Sequence, residues 1–141
     1  MISLVDFVKA FNSNLEYRIL IVVDEICDVF SGNKEEFIKR VQNPYCFQDY
    51  YVQHVDLDVG YDYDYDNKKW FEDGYCLYID ADTTDNLDDF TLDGLTWVEK
   101  EFTINDLKDF EKELGYVKNF KVNNIITENN IVKSFNVEKC E

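Results

Sequence analysis

The chain has 141 residues, 45% of them apolar and 16% aromatic, and carries thirty acids against fourteen bases for a net charge of −16. That length fits one domain with a real core, and eleven Phe and ten Tyr set it apart from disordered acidic tails, which lack aromatic and β-branched residues. The charge, with only Arg18 and Arg40 as arginines, argues against direct binding of DNA, RNA or anionic membranes.

The opening segment reads as a helix. Ser3 caps it with Asp6 three residues on, and Leu4, Phe7, Val8 and Phe11 fall on one face. Asn12-Ser13-Asn14 ends it. Tyr17–Val23 is β-branched and reads as a buried strand, Asp24-Glu25 as a turn, and Ile26–Phe30 as the returning strand. Ser31-Gly32-Asn33 breaks that strand. Asn33 caps a second helix through about Val41, with Glu35 and Glu36 in its first turn and Asn43-Pro44 at its close.

From Tyr51 to Asp66 the chain alternates strictly. Val55, Leu57, Val59, Tyr61, Tyr63 and Tyr65 point one way; Asp56, Asp58, Gly60, Asp62, Asp64 and Asp66 point the other. Period two is a strand, with Gly60 as the place for a bend or bulge. The turn falls at Asp66-Asn67-Lys68-Lys69 or at Asp73-Gly74, and Tyr75–Ala81 is the return strand. Residues 82–94 form an acidic loop in which Phe90 and Leu92 can act as pins, and Leu95–Phe102 is a further strand. Thr103 with Asp106 repeats the capping logic for a helix with Leu107, Phe110 and Leu114 on its apolar stripe, ended by Gly115. Val117–Val137 reads as one or two strands that turn at Glu128-Asn129-Asn130.

The expected fold is therefore one α+β domain over 1–141: a largely antiparallel sheet of five to seven strands, with two or three short helices packed on one side. Residues 1–59 make a helix-hairpin-helix-strand half; residues 60–141 hold the acidic hairpin and loop, a strand, a helix and the C-terminal strands. Met1–Asp6 has no basic leader, and Ile19–Val23 is far short of the roughly 20 apolar residues of a membrane-spanning helix, so a cytoplasmic location is expected. Cys27, Cys46, Cys76 and Cys140 form no CxxC pair and, with His54 the single histidine, no zinc spacing; reduced, mostly buried thiols are expected.

Charge is the most informative feature. Seventeen of the acids fall between Asp49 and Asp106 against three lysines, whereas residues 1–48 hold seven acids against five bases and residues 107–141 six against six. A concentrated field of one sign opposes compact folding by self-repulsion, and a cationic partner offsets it. Asp is poorly suited to strands, and like charges along one face repel. Breaking local rules in this way is typical of functional positions.

The partner-binding candidates are Asp56, Asp58, Asp62, Asp64 and Asp66 of the ladder; Glu72, Asp73, Asp80, Asp82, Asp85, Asp88 and Asp89 beyond it; and the interleaved Tyr63, Tyr65 and Trp70, since Tyr and Trp are favoured interface anchors. Carboxylates along one strand face stand about 6.7 Å apart, about a quarter of the duplex charge density of one per roughly 1.7 Å. Further rows, or a homodimer, would be needed to imitate a duplex.

Two other chemistries compete. Asp62, Asp64, Asp66, Asn67 and Asp73 stand at positions one, three, five, six and twelve of an EF-hand-like count, but that loop wants Gly sixth and Glu last; Asp80-x-Asp82-x-x-Asp85 is a second oxygen cluster. His54 shares a strand face with Asp56, but no nucleophile, GxSxG, HExxH or phosphate-binding glycine loop accompanies it. No enzyme, metal or cofactor is expected.

The Val55–Asp93 stretch, about a quarter of the chain, resembles in charge pattern and size the acidic, aromatic-rich band of small phage and mobile-element inhibitors, the anti-restriction and anti-CRISPR proteins that occupy nucleic-acid grooves. The resemblance implies an inhibitor that blocks the basic groove of a bacterial defence nuclease or DNA-binding effector, in the bacterial cytoplasm if phage-encoded. An immunity protein against a cognate toxin is the alternative, and a calcium-binding module a third.

Overall fold

The computed structural model describes residues 2–23, 27–43, 46–83, 101–118 and 120–140. In chain order these form β1 (Ile2–Ser3), α1 (Leu4–Ala10), β2 (Phe11–Ser13), β3 (Tyr17–Val23), β4 (Cys27–Gly32), α2 (Lys34–Val41), β5 (Tyr50–Asp64), β6 (Lys69–Thr83), α3 (Ile104–Lys118), β7 (Phe120–Glu128) and β8 (Ile131–Lys139). The class is α+β. The strands divide between two sheets, ordered β1-β5-β6-β3-β4 and β2-β8-β7. Both sheets are mixed: β3 runs parallel to β6 and β2 parallel to β8, while the other pairs are antiparallel.

Local chemistry sets the helix starts. Asn33 and Glu36 exchange side-chain and backbone bonds in a full capping box (2.8 and 3.3 Å). Thr103 and Asp106 make the equivalent pair with Asp in place of Glu. Helix α1 buries Leu4, Phe7, Val8 and Ala10 and packs against both β5 and β8. Phe7 meets the rings of Phe11, Phe102, Phe110 and Phe135 at centroid distances of 5.6–6.3 Å, and the ring pairs Phe11–Tyr17 (5.1 Å) and Tyr75–Phe120 (5.8 Å) join the two sheets. A second ring cluster, Phe30, Phe37, Phe47 and Tyr50, closes the α2 end. The Arg40 guanidinium lies 5.8 and 5.3 Å from the Phe30 and Phe47 rings, which commits one of the two arginines to packing.

Lys34 ties α2 to the end of α1. Its Nζ donates to the Lys9 and Phe11 carbonyls and to Asn12 Oδ1 at 2.7–2.9 Å, serving as the cation at a helix C-terminus. Burial pulls its pKa below the ordinary lysine value.

Several boundaries differ from the sequence reading. Phe11–Ser13 does more than end α1: it pairs with Phe135–Val137 as a strand. Strand β4 runs through Ser31 to Gly32, and its turn at Asp24-Glu25 lies outside the described residues, as do Ile26, Pro44 and Leu95–Lys100. Glu101 and Phe102 are not in a strand. Gly115 does not end α3, which continues to Lys118; with no αL turn required there, the glycine sits within the helix. Val117 and Lys118 thus belong to α3, and the last two strands form the β7–β8 hairpin, turned at Asn129 and Asn130 with φ of 52° and 67°. The four thiols are free, with Cys27 exposed and the other three half-buried, so they are less buried than expected.

Replacing Lys34 with alanine is expected to cost about 2 kcal/mol, because three backbone and side-chain acceptors lose a charged donor. Lys9→Ala, which removes an exposed side chain but no acceptor, should stay within about 0.5 kcal/mol. Urea unfolding of both variants checks the difference.

Candidate functional site: the overhanging acidic hairpin

Strands β5 and β6 are each fifteen residues long, but only their lower halves lie in the sheet. On β6, partner β3 covers Tyr75–Ala81. On β5, partner β1 covers Tyr51 and Val52. Among the described residues, the antiparallel pairing of the two strands continues alone from Tyr61↔Glu72 to Asp64↔Lys69. At about 3.3 Å per residue, residues 60–64 carry this two-stranded ribbon about 17 Å past the sheet.

Two glycines sit where the ribbon leaves. The register slips between Val59 and Tyr61, with Asp73 and Gly74 on β6 facing the single Gly60 on β5. A Cβ at Gly60 would stand 3.0 Å from the Asp73 carbonyl oxygen. Gly74 has φ +65°, and a Cβ there would stand 3.0 Å from the Glu16 carbonyl oxygen. That carbonyl accepts the Tyr75 N–H at 2.8 Å. This is a glycine-dependent bulge, in which the extra residue bends and twists the ribbon.

The return strand therefore starts at Lys69, six residues before the expected Tyr75, and the turn is Tyr65–Lys68. Asp64 builds that turn. Its Oδ1 accepts the Asp66 and Asn67 N–H groups (3.0 and 3.2 Å), and its Oδ2 accepts Asn67 Nδ2 at 2.6 Å. The Asn67 side-chain bond, followed by the backbone bonds, holds the Asp64 carboxyl below its ordinary pKa. Lys68 takes the left-handed conformation (φ 54°).

The alternation along β5 is as the sequence implies, but its meaning changes along the strand. Leu57 is fully buried and Val55 nearly so, facing Leu77 and Ile79. Past Gly60 the sheet's core has ended. Tyr61 is 58% exposed, Tyr65 83%, Trp70 69% and Phe71 43%. These are four of the six exposed large apolar side chains among the described residues, so the overhang is where apolar surface meets water. Tyr63 packs edge-on to Trp70 at 5.2 Å and to Tyr65 at 5.0 Å. Tyr75, by contrast, turns inward onto Phe120 at 5.8 Å.

The carboxylates divide in the same way. At the root, three rows cross the strands on the face opposite the core: Arg18, Cys76 and Asp58; Leu20, Tyr78 and Asp56; Val22, Asp80 and His54. Basic and apolar groups dilute the ladder there. The Cys76 thiol registers this mixture: burial pushes it up, Arg18 opposes, and Asp56 and Asp58 add to the rise. Asp82 pairs across from Tyr51. Asp58, Asp62 and Asp82 each turn one carboxylate oxygen onto the next residue's N–H at 2.8 Å.

On the overhang, Tyr61 stands opposite Glu72 and Tyr63 opposite Trp70 on one face; Asp62 stands opposite Phe71 and Asp64 opposite Lys69 on the other. Asp66 lies in the turn and Asp73 in the bulge. Asp85, Asp88 and Asp89 lie outside the described residues. Residues 50–83 hold nine acids against Lys68 and Lys69, a net of seven negative charges.

The sequence count undervalued Tyr61, Phe71 and Glu72's place beside Tyr61, all of which follow from the turn position. His54 has Asp80 directly across from it as well as Asp56 on its own strand, and is exposed. The EF-hand-like set does not converge: Asp62 and Asp64 lie along β5 and Asp73 at the bulge of β6. Among the described residues no three His, Cys, Asp or Glu side chains group as metal ligands, and no helix is long and apolar enough to cross a membrane. No protein-family model matches the chain, nor does any curated protein or solved structure.

Gly74→Ala is expected to cost about 1–2 kcal/mol from forced positive φ and the close Glu16 carbonyl, with faster amide exchange at Tyr75 as its local signature. The turn should also respond to acid. Because the folded Asp64 pKa is depressed, its contribution is complete above the unfolded value and is lost as pH falls through the folded one. Protection factors at Asp66 and Asn67, taken against the intrinsic exchange rate at each pH, should fall across that range, and Asn67→Ala should lower them in the same way at neutral pH.

Proposed function

We propose that the chain is a binding protein, not an enzyme, and that it places its acidic hairpin in the basic nucleic-acid groove of a nuclease or DNA-binding effector and so excludes the nucleic acid. The observation that carries this reading is the overhang: an anionic, aromatic-tipped ribbon about 17 Å long that projects from the sheet, with no third strand beside it among the described residues. A narrow projection of that kind enters a groove; a flat sheet face does not. The concentration of acid in the middle of the chain supplies long-range attraction that speeds encounter, and exposed rings slow release.

Charge density limits what the ribbon imitates. Residues 60–74 carry five acids and two lysines, a net of about one charge per 6 Å over that length. A duplex carries one per roughly 1.7 Å and a single strand one per roughly 3.4 Å. The ribbon is thus a sparse anion whose hold on a partner requires contacts besides charge.

The test is capture from a bacterial lysate, followed by competition between the captured protein's nucleic acid and the purified chain. Binding should fall steeply between 50 mM and 0.5 M salt, where the Debye length shrinks to about 4–5 Å. A variant combining Asp62→Asn, Asp66→Asn and Glu72→Gln should melt no lower than the parent yet associate at least about tenfold more slowly. Salt-independent binding, or a partner that holds its nucleic acid and this chain together, would refute the reading.

A further inference from the structure

We propose that the ribbon tip reads arginine: the partner surface that it fits presents guanidinium groups rather than ammonium groups. This rests on the groove-binding reading above and names the side-chain chemistry of the partner. Among the described residues few large apolar groups are exposed elsewhere, yet Tyr61, Tyr65, Trp70 and Phe71 stand in solvent within ten residues of one another. Single exposed apolar residues are ordinary, whereas a cluster marks a contact surface.

Each face of the tip sets a ring beside a carboxylate. Tyr61 faces Glu72 across the strands, one rung from the Tyr63–Trp70 pair. On the reverse face Phe71 faces Asp62. Directly opposed residues have Cβ atoms about 4.5–5.5 Å apart. A guanidinium plane lying on one of these rings therefore directs its in-plane N–H groups toward the neighbouring carboxylate. Arginine satisfies both contacts at once, since it is planar, weakly hydrated and forked. Lysine, a compact and strongly hydrated point charge, gains from the carboxylate but little from the ring.

Lys69 sharpens the choice of face. Lys69 stands opposite Asp64 on the Phe71 side, and both Asp64 oxygens already hold the turn. The Tyr61–Glu72–Trp70 face has no such neutralising group in its register and is the principal reading face. Arginine is also the residue that nucleic-acid grooves use for bidentate phosphate contacts, so the preference matches the proposed partner class.

The experiment titrates the full chain with octa-arginine and octa-lysine peptides by calorimetry at about 50 mM salt, and follows the Trp70 indole N–H by NMR. Octa-arginine should bind about five- to thirtyfold more tightly, the range expected from one or two cation–π contacts. A variant combining Tyr61→Leu and Trp70→Leu keeps apolar bulk but removes the rings. It should lose the preference while retaining the octa-lysine affinity.

Equal affinity for the two peptides, both weakening with salt, would overturn arginine reading and leave groove binding standing. An arginine preference that survives the double substitution would also overturn it. No binding of either peptide would sink both readings. A dimer of the free chain that the same substitutions abolish would assign the rings to a second copy and overturn the proposal.

Discussion

The parallel pairing of β3 on β6 holds the hairpin in place, and most other features of the molecule follow from where that pairing stops. It joins Tyr17–Val23 to Tyr75–Ala81, segments far apart in the chain, and sets Ile19 and Ile21 beside Leu77 and Ile79, all fully buried. Each such side chain contributes about 1.5–3 kcal/mol through burial, far more than a hairpin turn supplies. Below Gly74 the ribbon is one layer of a packed sheet. Above it, among the described residues, the same two strands pair only with each other. An isolated two-stranded hairpin is marginal in water; this one is long because its register is imposed from the root and its turn is tied by Asp64.

The same division explains how the protein tolerates a ladder of aspartates. Two carboxylates about 6.7 Å apart along a strand repel by about 0.6 kcal/mol in water, and salt reduces that further. One edge-to-face ring pair contributes about 0.5–1.5 kcal/mol, so the Tyr63–Trp70 and Tyr63–Tyr65 contacts are of the size needed to offset the repulsion locally. At the root, Arg18 and His54 lie among the acids. The strain of like charge is thus met rung by rung, and little of it reaches the core.

Much of this was legible in the sequence because period-two alternation and capping pairs are local signals. The β5 alternation, the Asn33–Glu36 and Thr103–Asp106 caps and the Asn129-Asn130 turn all stand where the residues place them. What escaped was non-local. Nothing in Phe11-Asn12-Ser13 announces a parallel partner more than a hundred residues away, so one sheet was expected where there are two. Gly74 reads as a turn signal, and its real role is a bulge, because the Glu16 carbonyl that fixes it comes from another strand. The candidate site was legible as composition but not as geometry. Tyr61 and Tyr63 carry the same alternation as Leu57, and only the end of β3 decides that the leucine is buried while Tyr61 is exposed.

That shift separates the side chains that hold the fold from those that face solvent. Leu57 and Leu77 are fully buried and cannot change without opening the core, whereas Tyr61, Asp62, Trp70 and Glu72 are exposed on the ribbon. Side chains that stay largely exposed on folding are available to bury more surface on association, and charges that cost the core little can be concentrated without unfolding it. Gly60 and Gly74 make this separation possible: each lies where another residue's backbone carbonyl would stand 3.0 Å from an added Cβ, so the crossing from packed sheet to ribbon is made at two positions where a larger residue is strained. The tip is therefore sharply bounded in structure at Gly60 and Gly74, whereas the excess of acid in the sequence runs on from Asp49 to Asp106.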